Sequence, residues 1–353
     1  MISVIMPVYN CEKNIEKTLK TFCEIMQPDD EIIIVDDVSK DKSFEICTEF
    51  SKKDARVKVF KNKENLGAGP TRNVGINLAK SDYLYFCDAD DYVSKDLFKK
   101  IAEYLKNNTD CDLLVFGYDN KNYKGEINRI SRRQNAVFSG DEIRTEYNKF
   151  YYSDLLDVRG APWNKVFKRS IIEEHKILYP NLRRNEDQVF IMDFIDKCDS
   201  VHFIDEILYT YQYGHYMSDF LKKFPVDYYD IHSTYMKSVD DFICKWSEDN
   251  IHNCKNVRDV EYVDGLLIAI RALVYHGNVK KTFSKLNTIL FNKEVERVCL
   301  DYKALNLSKQ DEKIVCYINK KQSIKIYLWF LLDTNKILFK QSLKRKLLKF
   351  LKR

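Results

Sequence analysis

Tyr83-Leu84-Tyr85-Phe86-Cys87-Asp88-Ala89-Asp90-Asp91 runs from five apolar or aromatic residues straight into three carboxylates. A short apolar run that stops at a polar cluster reads as a buried strand ending at a functional or turn position. Two earlier segments repeat the pattern. Ser3 to Val8 leads into Tyr9-Asn10, and Ile32-Ile33-Ile34-Val35 leads into Asp36-Asp37. Between these runs the spacing changes to that of helices. Ile15, Leu19 and Phe22 share one face of a helix over 14–26, Ser43 to Ser51 reads as a short helix, and Gly69 to Ala79 reads as a helix behind a glycine turn. Further strands are expected at 56–60 and 113–117, with a helix over 95–105. Strands alternating with helices predict an α/β fold with a mostly parallel sheet.

Ligands of open parallel sheets gather beyond the carboxyl ends of the strands, which is where all three polar clusters fall. Strand alternation places Asp88 and Asp90 on one side. Two carboxylates there repel unless a cation lies between them, and hard oxygen ligands suit Mg²⁺ or Mn²⁺. A solvated acidic turn that caps the next helix is the plainer alternative. Asp36-Asp37 could accept hydrogen bonds from a nucleobase or ribose, or could cap the helix near Ser43. Gly67-Ala68-Gly69-Pro70-Thr71-Arg72-Asn73 permits close backbone approach and supplies one arginine for phosphate or an acidic neighbour. Its spacing and its place after the third strand do not fit a dinucleotide fingerprint.

In their order, Val4 to Asn10, Val35-Asp36-Asp37-Val38-Ser39, Asn65-Leu66-Gly67 to Arg72-Asn73 and Asp88-Ala89-Asp90-Asp91 resemble glycosyltransferase family 2. The resemblance covers about residues 1–215. It implies a GT-A fold, inversion at the anomeric carbon, Mn²⁺ or Mg²⁺, and a nucleotide-sugar donor, a UDP-sugar foremost. It also implies roles. Pro7, Tyr9, Asn10 and Asp37 would line the nucleoside pocket with Asp36 nearby, and Arg72 would hold the acidic cluster. Asp88 and Ala89 would meet the nucleotide sugar, with Asp88 shared between ribose and metal and Asp90 the principal metal ligand. Val38 departs from the pattern, because the family often has glycine there, and this puts the loop shape in question.

Asn185-Glu186-Asp187 opens a helical run and resembles the family's Glu-Asp motif, which makes Asp187 the catalytic base and sets Glu186 beside the acceptor. Such acids are also common in a first helical turn, where the helix dipole favours them. Trp163, in Ala161 to Phe167, could stack on an acceptor sugar or simply fill the core. His215, just past Leu208 to Tyr213, could contact the metal or be polar surface.

The chain of 353 residues is long for one domain. We expect a GT-A domain over 1–218 and a mainly helical C-terminal region over 219–353. Ten scattered cysteines without a Cys-x-x-Cys pair read as reduced thiols, not as zinc or disulfide sites. No targeting segment and no apolar run near ~20 residues is present, so a cytoplasmic protein is expected. Residues 336–353 carry eight Lys or Arg and no acid. With Phe339, Leu343, Leu347, Phe350 and Leu351 at helical spacing, they describe a basic amphipathic helix suited to an anionic membrane surface. Packing on its own domain and a homo-oligomer contact are the alternatives. Nothing points to nucleic acid. The expected activity is transfer of one sugar to a glycan or lipid-linked glycan acceptor in cell-surface polysaccharide synthesis. A non-catalytic sugar or nucleotide binder and a sugar nucleotidyltransferase are the competing readings.

Overall fold

A computed structural model describes residues 1–121, 126–151, 155–212 and 224–335. Among them ten strands form one mixed sheet: β1 Ile2–Val8, β2 Glu31–Asp36, β3 Val57–Lys61, β4 Tyr83–Phe86, β5 Tyr92–Val93, β6 Leu113–Lys121, β7 Ile127–Ser131, β8 Ala136–Ser139, β9 Lys165–Lys168 and β10 Ser200–Gln212. The order is β3-β2-β1-β4-β9-β6-β10-β5, with β7 on β6 and β8 on β10. Strands β3, β2, β1 and β4 are parallel. Strand β9 is antiparallel to both β4 and β6. Its first residues therefore lie at the same sheet edge where β1, β2 and β4 end.

Helices α1 Ile15–Ile25, α2 Ser43–Lys53, α3 Ala68–Leu78, α4 Leu97–Asn107, α5 Gly140–Thr145, α6 Tyr147–Tyr151, α7 Arg169–His175 and α8 Glu186–Ile195 connect or flank the strands. All six residues of β2 are buried, as expected for an interior parallel strand covered on both faces. Leu19 and Phe22 of α1 and Phe98 and Ile101 of α4 join Val4, Met6, Ile32, Ile34 and Tyr85 in one core cluster. On the other side, an added Cβ at Gly75 of α3 would lie 2.5 Å from Ile5 Cγ2, so α3 can sit this close to β1 only with glycine there. Phe86 meets Phe167, Tyr179 and Phe190 edge to face at 5.4–5.6 Å. Burying a phenylalanine such as Phe190 contributes roughly 1.5–3 kcal/mol. That contact docks α8 with its N-terminus at the strand ends.

The expected strands and helices of the first 117 residues all form, within two residues at their ends except for β6, which runs four residues further, to Lys121. One inference from them needs correcting. Strand β4 ends at Phe86, and Ala89–Asp90 lie in a turn closed by the Asp91 N–H on the Asp88 carbonyl. Strand alternation therefore does not orient Asp88 and Asp90.

The chain forms two compact units, Met1–Tyr213 with Val239–Asn250, and Gly214–Ser238 with Ile251–Arg353. The division falls inside the helix Tyr228–Trp246. Further helices span Glu248–Asn253, Lys255–His276, Val279–Leu290, Lys293–Leu300 and Lys309–Asn319. The expected helical C-terminal region is therefore present. Among the described residues none of the ten cysteines is joined in a disulfide. Among the described residues no helix is long and apolar enough to cross a membrane. His215, the 218/219 boundary and the stretch 336–353 lie outside the described residues.

Candidate active site

At the shared sheet edge one side chain joins the two halves of the site. Arg72, on α3, is 4% exposed. Its guanidinium donates to Asp88 Oδ1 at 2.8 Å and to Asp187 Oδ1 at 3.2 Å, and lies 3.8 Å from Glu186 Oε1. Its face covers the Tyr179 ring at 5.4 Å. Burial opposes the positive charge, but Asp187 and Asp88 outweigh it and raise the arginine's pKa. Asn73, one residue further along α3, accepts from the Tyr179 N–H and donates to the Tyr179 carbonyl. At Gly69 an added Cβ would stand 3.3 Å from both Glu186 Cγ and Tyr179 Cβ. The Gly67-to-Asn73 segment is thus a cradle for Arg72 and for the chain that leads into α8.

Asp187 sits in the first turn of α8, behind Asn185 at φ 65°. Its side chain is 29% exposed. Burial raises its pKa, opposed chiefly by Arg72. Glu186 is pushed up to about 7 by burial and by Asp187. Arg72 stands beside both carboxyls, and the more exposed of them, Asp187, is the one it hydrogen-bonds.

Asp88 is 44% exposed and Asp90 is exposed. Ala89 is buried, and its carbonyl accepts from the Thr18 hydroxyl at 2.9 Å. On either side of it Asp88 is partly exposed, with Oδ1 held by Arg72, and Asp90 is open to solvent. Asp91 is the inner member of the cluster. Its carboxylate accepts from the Asp88 N–H at 2.7 Å, and burial followed by Asp88 pushes its pKa up to about 8. Among the described residues no group of three or more His, Cys, Asp or Glu side chains is arranged to hold a metal. The donor set facing out is two carboxylates. That pair fits a hard divalent cation that takes its remaining ligands from phosphate oxygens and water.

Asp36 is fully buried, and its Oδ1 accepts from the Ser39 N–H. Asp37 accepts from the Leu66 and Gly67 N–H groups and from the Asn62 amide, each at 2.8 Å. Both residues shape the loops around the strand ends. Val38 adopts φ 63°, the left-handed region, and Asn10 adopts φ 53°. The Asn10 N–H donates to Ser39 Oγ, and Asn10 Oδ1 accepts from the Lys40 N–H, so the two loops brace each other. Pro7 is half-buried and Tyr9 is 45% exposed. Of this group the Tyr9 ring is the one that stands most open to a ligand.

Trp163 is stacked on Tyr209 at 4.1 Å and 8°, lies nearly parallel to Tyr211 at 5.6 Å, and meets Tyr118 edge on. The tryptophan considered as a sugar platform is thus part of an aromatic group in which Tyr211 is 38% exposed. Tyr179, Asp91, Lys165 and Tyr211 went unassigned from sequence. A run of tyrosines at alternate positions of β10 was the available signal for Tyr211.

The model of the family described as "Glycosyl transferase family 2" matches residues 3–175. An uncharacterized glycosyltransferase of Haemophilus influenzae is 30% identical over 215 residues, 60% of this chain and 76% of that one. The chain belongs to glycosyltransferase family 2. EpsH of Bacillus subtilis is 31% identical over 217 residues, and the match spans only 60% of its length. A crystal structure of Staphylococcus aureus TarS in complex with UDP-GlcNAc shares the fold, with a TM-score of 0.63 at 21% identity over 92% of this chain and 89% of that one. The fold is therefore GT-A, as the resemblance implied, followed by a helical region. The family 2 match stops short of α8, so the placing of Asp187 at the site rests on the Arg72 contact and not on that match.

Proposed function

We propose that this chain is an inverting, metal-dependent glycosyltransferase that moves one sugar from a nucleotide sugar, a UDP-sugar foremost, to a glycan or lipid-linked glycan acceptor in cell-surface polysaccharide synthesis. The observation that carries the proposal is Arg72, which links the outward-facing Asp88-Ala89-Asp90 turn to Asp187 through one buried guanidinium. A purely structural acidic turn needs no second carboxylate from a helix far along the chain. The nucleotide-sugar complex of the TarS fold relative and the match to other glycosyltransferases support the choice of donor.

In the proposed reaction, Asp187 accepts the proton of the acceptor hydroxyl as that oxygen attacks the anomeric carbon. The bond from the anomeric carbon to the diphosphate oxygen breaks, and the nucleoside diphosphate leaves with its electron pair. Asp88 and Asp90 would hold Mn²⁺ or Mg²⁺. When bound, that ion would neutralise charge developing on the departing diphosphate. Arg72 fixes the carboxylates relative to one another, Tyr9 faces the nucleoside, and Glu186 with the Trp163–Tyr211 group borders the acceptor. We place this machinery in 1–218. We also propose that the basic stretch 336–353 holds the protein at the inner face of an anionic membrane.

The test uses UDP-GlcNAc with and without Mn²⁺. Slow, Mn²⁺-dependent hydrolysis and a Mn²⁺-dependent rise in melting temperature are expected. Asp90→Ala should remove the metal-dependent part of both. Asp187→Asn should lower hydrolysis by about 10²–10⁴-fold and leave the melting shift intact. Donor binding with no turnover under any condition would instead favour a non-catalytic binder.

A further inference from the structure

Lys165, the first residue of β9, has no exposed surface. Buried ammonium groups are rare because leaving water is costly, so each needs partners that replace its hydration. Lys165 Nζ donates to the Arg159 carbonyl at 2.8 Å, the Ala161 carbonyl at 3.0 Å and Asn164 Oδ1 at 2.9 Å. Three acceptors match the three N–H bonds of an ammonium and exceed the two of a neutral amine. All three belong to the 159–164 loop, which carries Trp163. The loop is fastened twice more. The Asn164 amide donates to the Phe116 carbonyl at 2.9 Å, and the Gly160 N–H donates to Gln188 Oε1 at 3.0 Å, one residue beyond Asp187 on α8. The ammonium is therefore the centre of a ring of contacts running from the sheet through the aromatic loop to the helix that bears the proposed base.

We propose that Lys165 is a positioning residue of the transfer site: its buried ammonium builds the Trp163 loop, which Gly160 and Gln188 tie to the helix that bears Asp187, and adds to the positive charge that Arg72 sets beside that carboxyl. The proposal rests on Asp187 being the base. The charged groups around Asp187 are Arg72 from α3, Asp88 from the turn after β4, Lys165 from β9, Arg184 from the segment before α8, and Glu186 from its first turn. Burial and Asp88 favour the protonated carboxyl, while Arg72, Lys165 and Arg184 favour the carboxylate. Burial also pushes Lys165 itself down to about 7, against the pull of Asp157 and Asp187. Unlike Arg72, Lys165 contacts no donor-site carboxylate. Its removal should alter the base without altering nucleotide binding.

The experiment compares the wild type with Lys165→Met, Lys165→Gln and Lys165→Arg. The Asp187 carboxyl is titrated by ¹³C NMR in aspartate-labelled protein, with Asp187→Asn giving the assignment. This readout needs no activity, so it separates failure of the proposal from failure of the proposed reaction. The neutral variants should raise the Asp187 pKa by roughly half a unit to one unit, and Lys165→Arg should restore it. UDP-GlcNAc hydrolysis with Mn²⁺ should lose up to roughly tenfold on its acid limb in the neutral variants. The UDP-induced melting shift should stay unchanged. Lys165→Gln keeps two of the three donors and serves the same comparison if Lys165→Met does not fold. An Asp187 titration unmoved in a folded neutral variant overturns the proposal. So does an Asp187 pKa in Lys165→Arg that rises although the charge is kept.

Discussion

Val38 holds its loop in the left-handed conformation that favours glycine. A β-branched residue at φ 63° brings its Cβ against its own backbone, at a cost of about 1–2 kcal/mol. The loop keeps its shape because its neighbours are tied. Asp36 accepts from the Ser39 N–H, Asn65 donates to the Asp37 carbonyl, and the Asp37 N–H donates to the Val8 carbonyl. The strain is local and separable from chemistry. Val38→Asn, which tolerates the left-handed region and adds little backbone freedom, should stabilise the chain by about 1 kcal/mol. Denaturant unfolding would register this as a higher midpoint with an unchanged slope. A midpoint that does not rise would mean that the Val38 side chain contributes packing that outweighs its strain.

At the scale of elements, the spacing of helix α3 from strand β1 sets where Arg72 stands. Gly75 lies one turn beyond Arg72 and touches Ile5. Gly75→Ala gains about 1 kcal/mol of helix propensity but adds a methyl where Ile5 already is. Overpacking of this kind costs about 1–3 kcal/mol. The net expectation is a lower melting temperature. If Gly75→Ala alone melts higher, the helix is not held at this distance by its core. The parallel half of the sheet was legible in sequence because β1, β2 and β4 are buried on both faces and read as unbroken apolar runs. The donor-side acids were legible for the same reason, since polar clusters stand out after such runs. What lay beyond reach depended on chain reversal. Strand β9 enters the sheet antiparallel between β4 and β6, a non-local pairing that no periodicity encodes, and only that pairing brings Lys165 and Trp163 to the same edge. The turn at Ala89–Asp90 escaped for a different reason: alternation holds only inside a strand, and β4 has already ended at Phe86.

At the scale of the whole molecule, the site carries a stability cost that depends on pH. Glu186 has its pKa pushed up to about 7 by burial and Asp187, against an ordinary value of 4.5. A carboxyl whose folded pKa is raised binds its proton more tightly when folded. Its contribution is fully present below the unfolded pKa and is lost as pH rises through the folded one. Stability should therefore fall between about pH 4.5 and 7 by an amount that Glu186→Gln removes, because the amide stays neutral throughout. Melting temperatures of the two proteins across that range check this; parallel curves would show that Glu186 titrates as an ordinary surface acid.

Arg72 has a consequence for how the site is loaded. A single guanidinium divides its attraction between Asp88, where the cation is proposed to bind, and Asp187, where the proton of the acceptor is proposed to arrive. A cation bound at Asp88 would release Arg72 toward Asp187 and make that carboxylate less basic. By reciprocity, a proton on Asp187 would free Arg72 to lean on Asp88 and compete with the cation. Metal and proton would then be antagonists across a shared arginine, so the arrival of the ion would keep the base unprotonated until an acceptor hydroxyl is there to supply the proton.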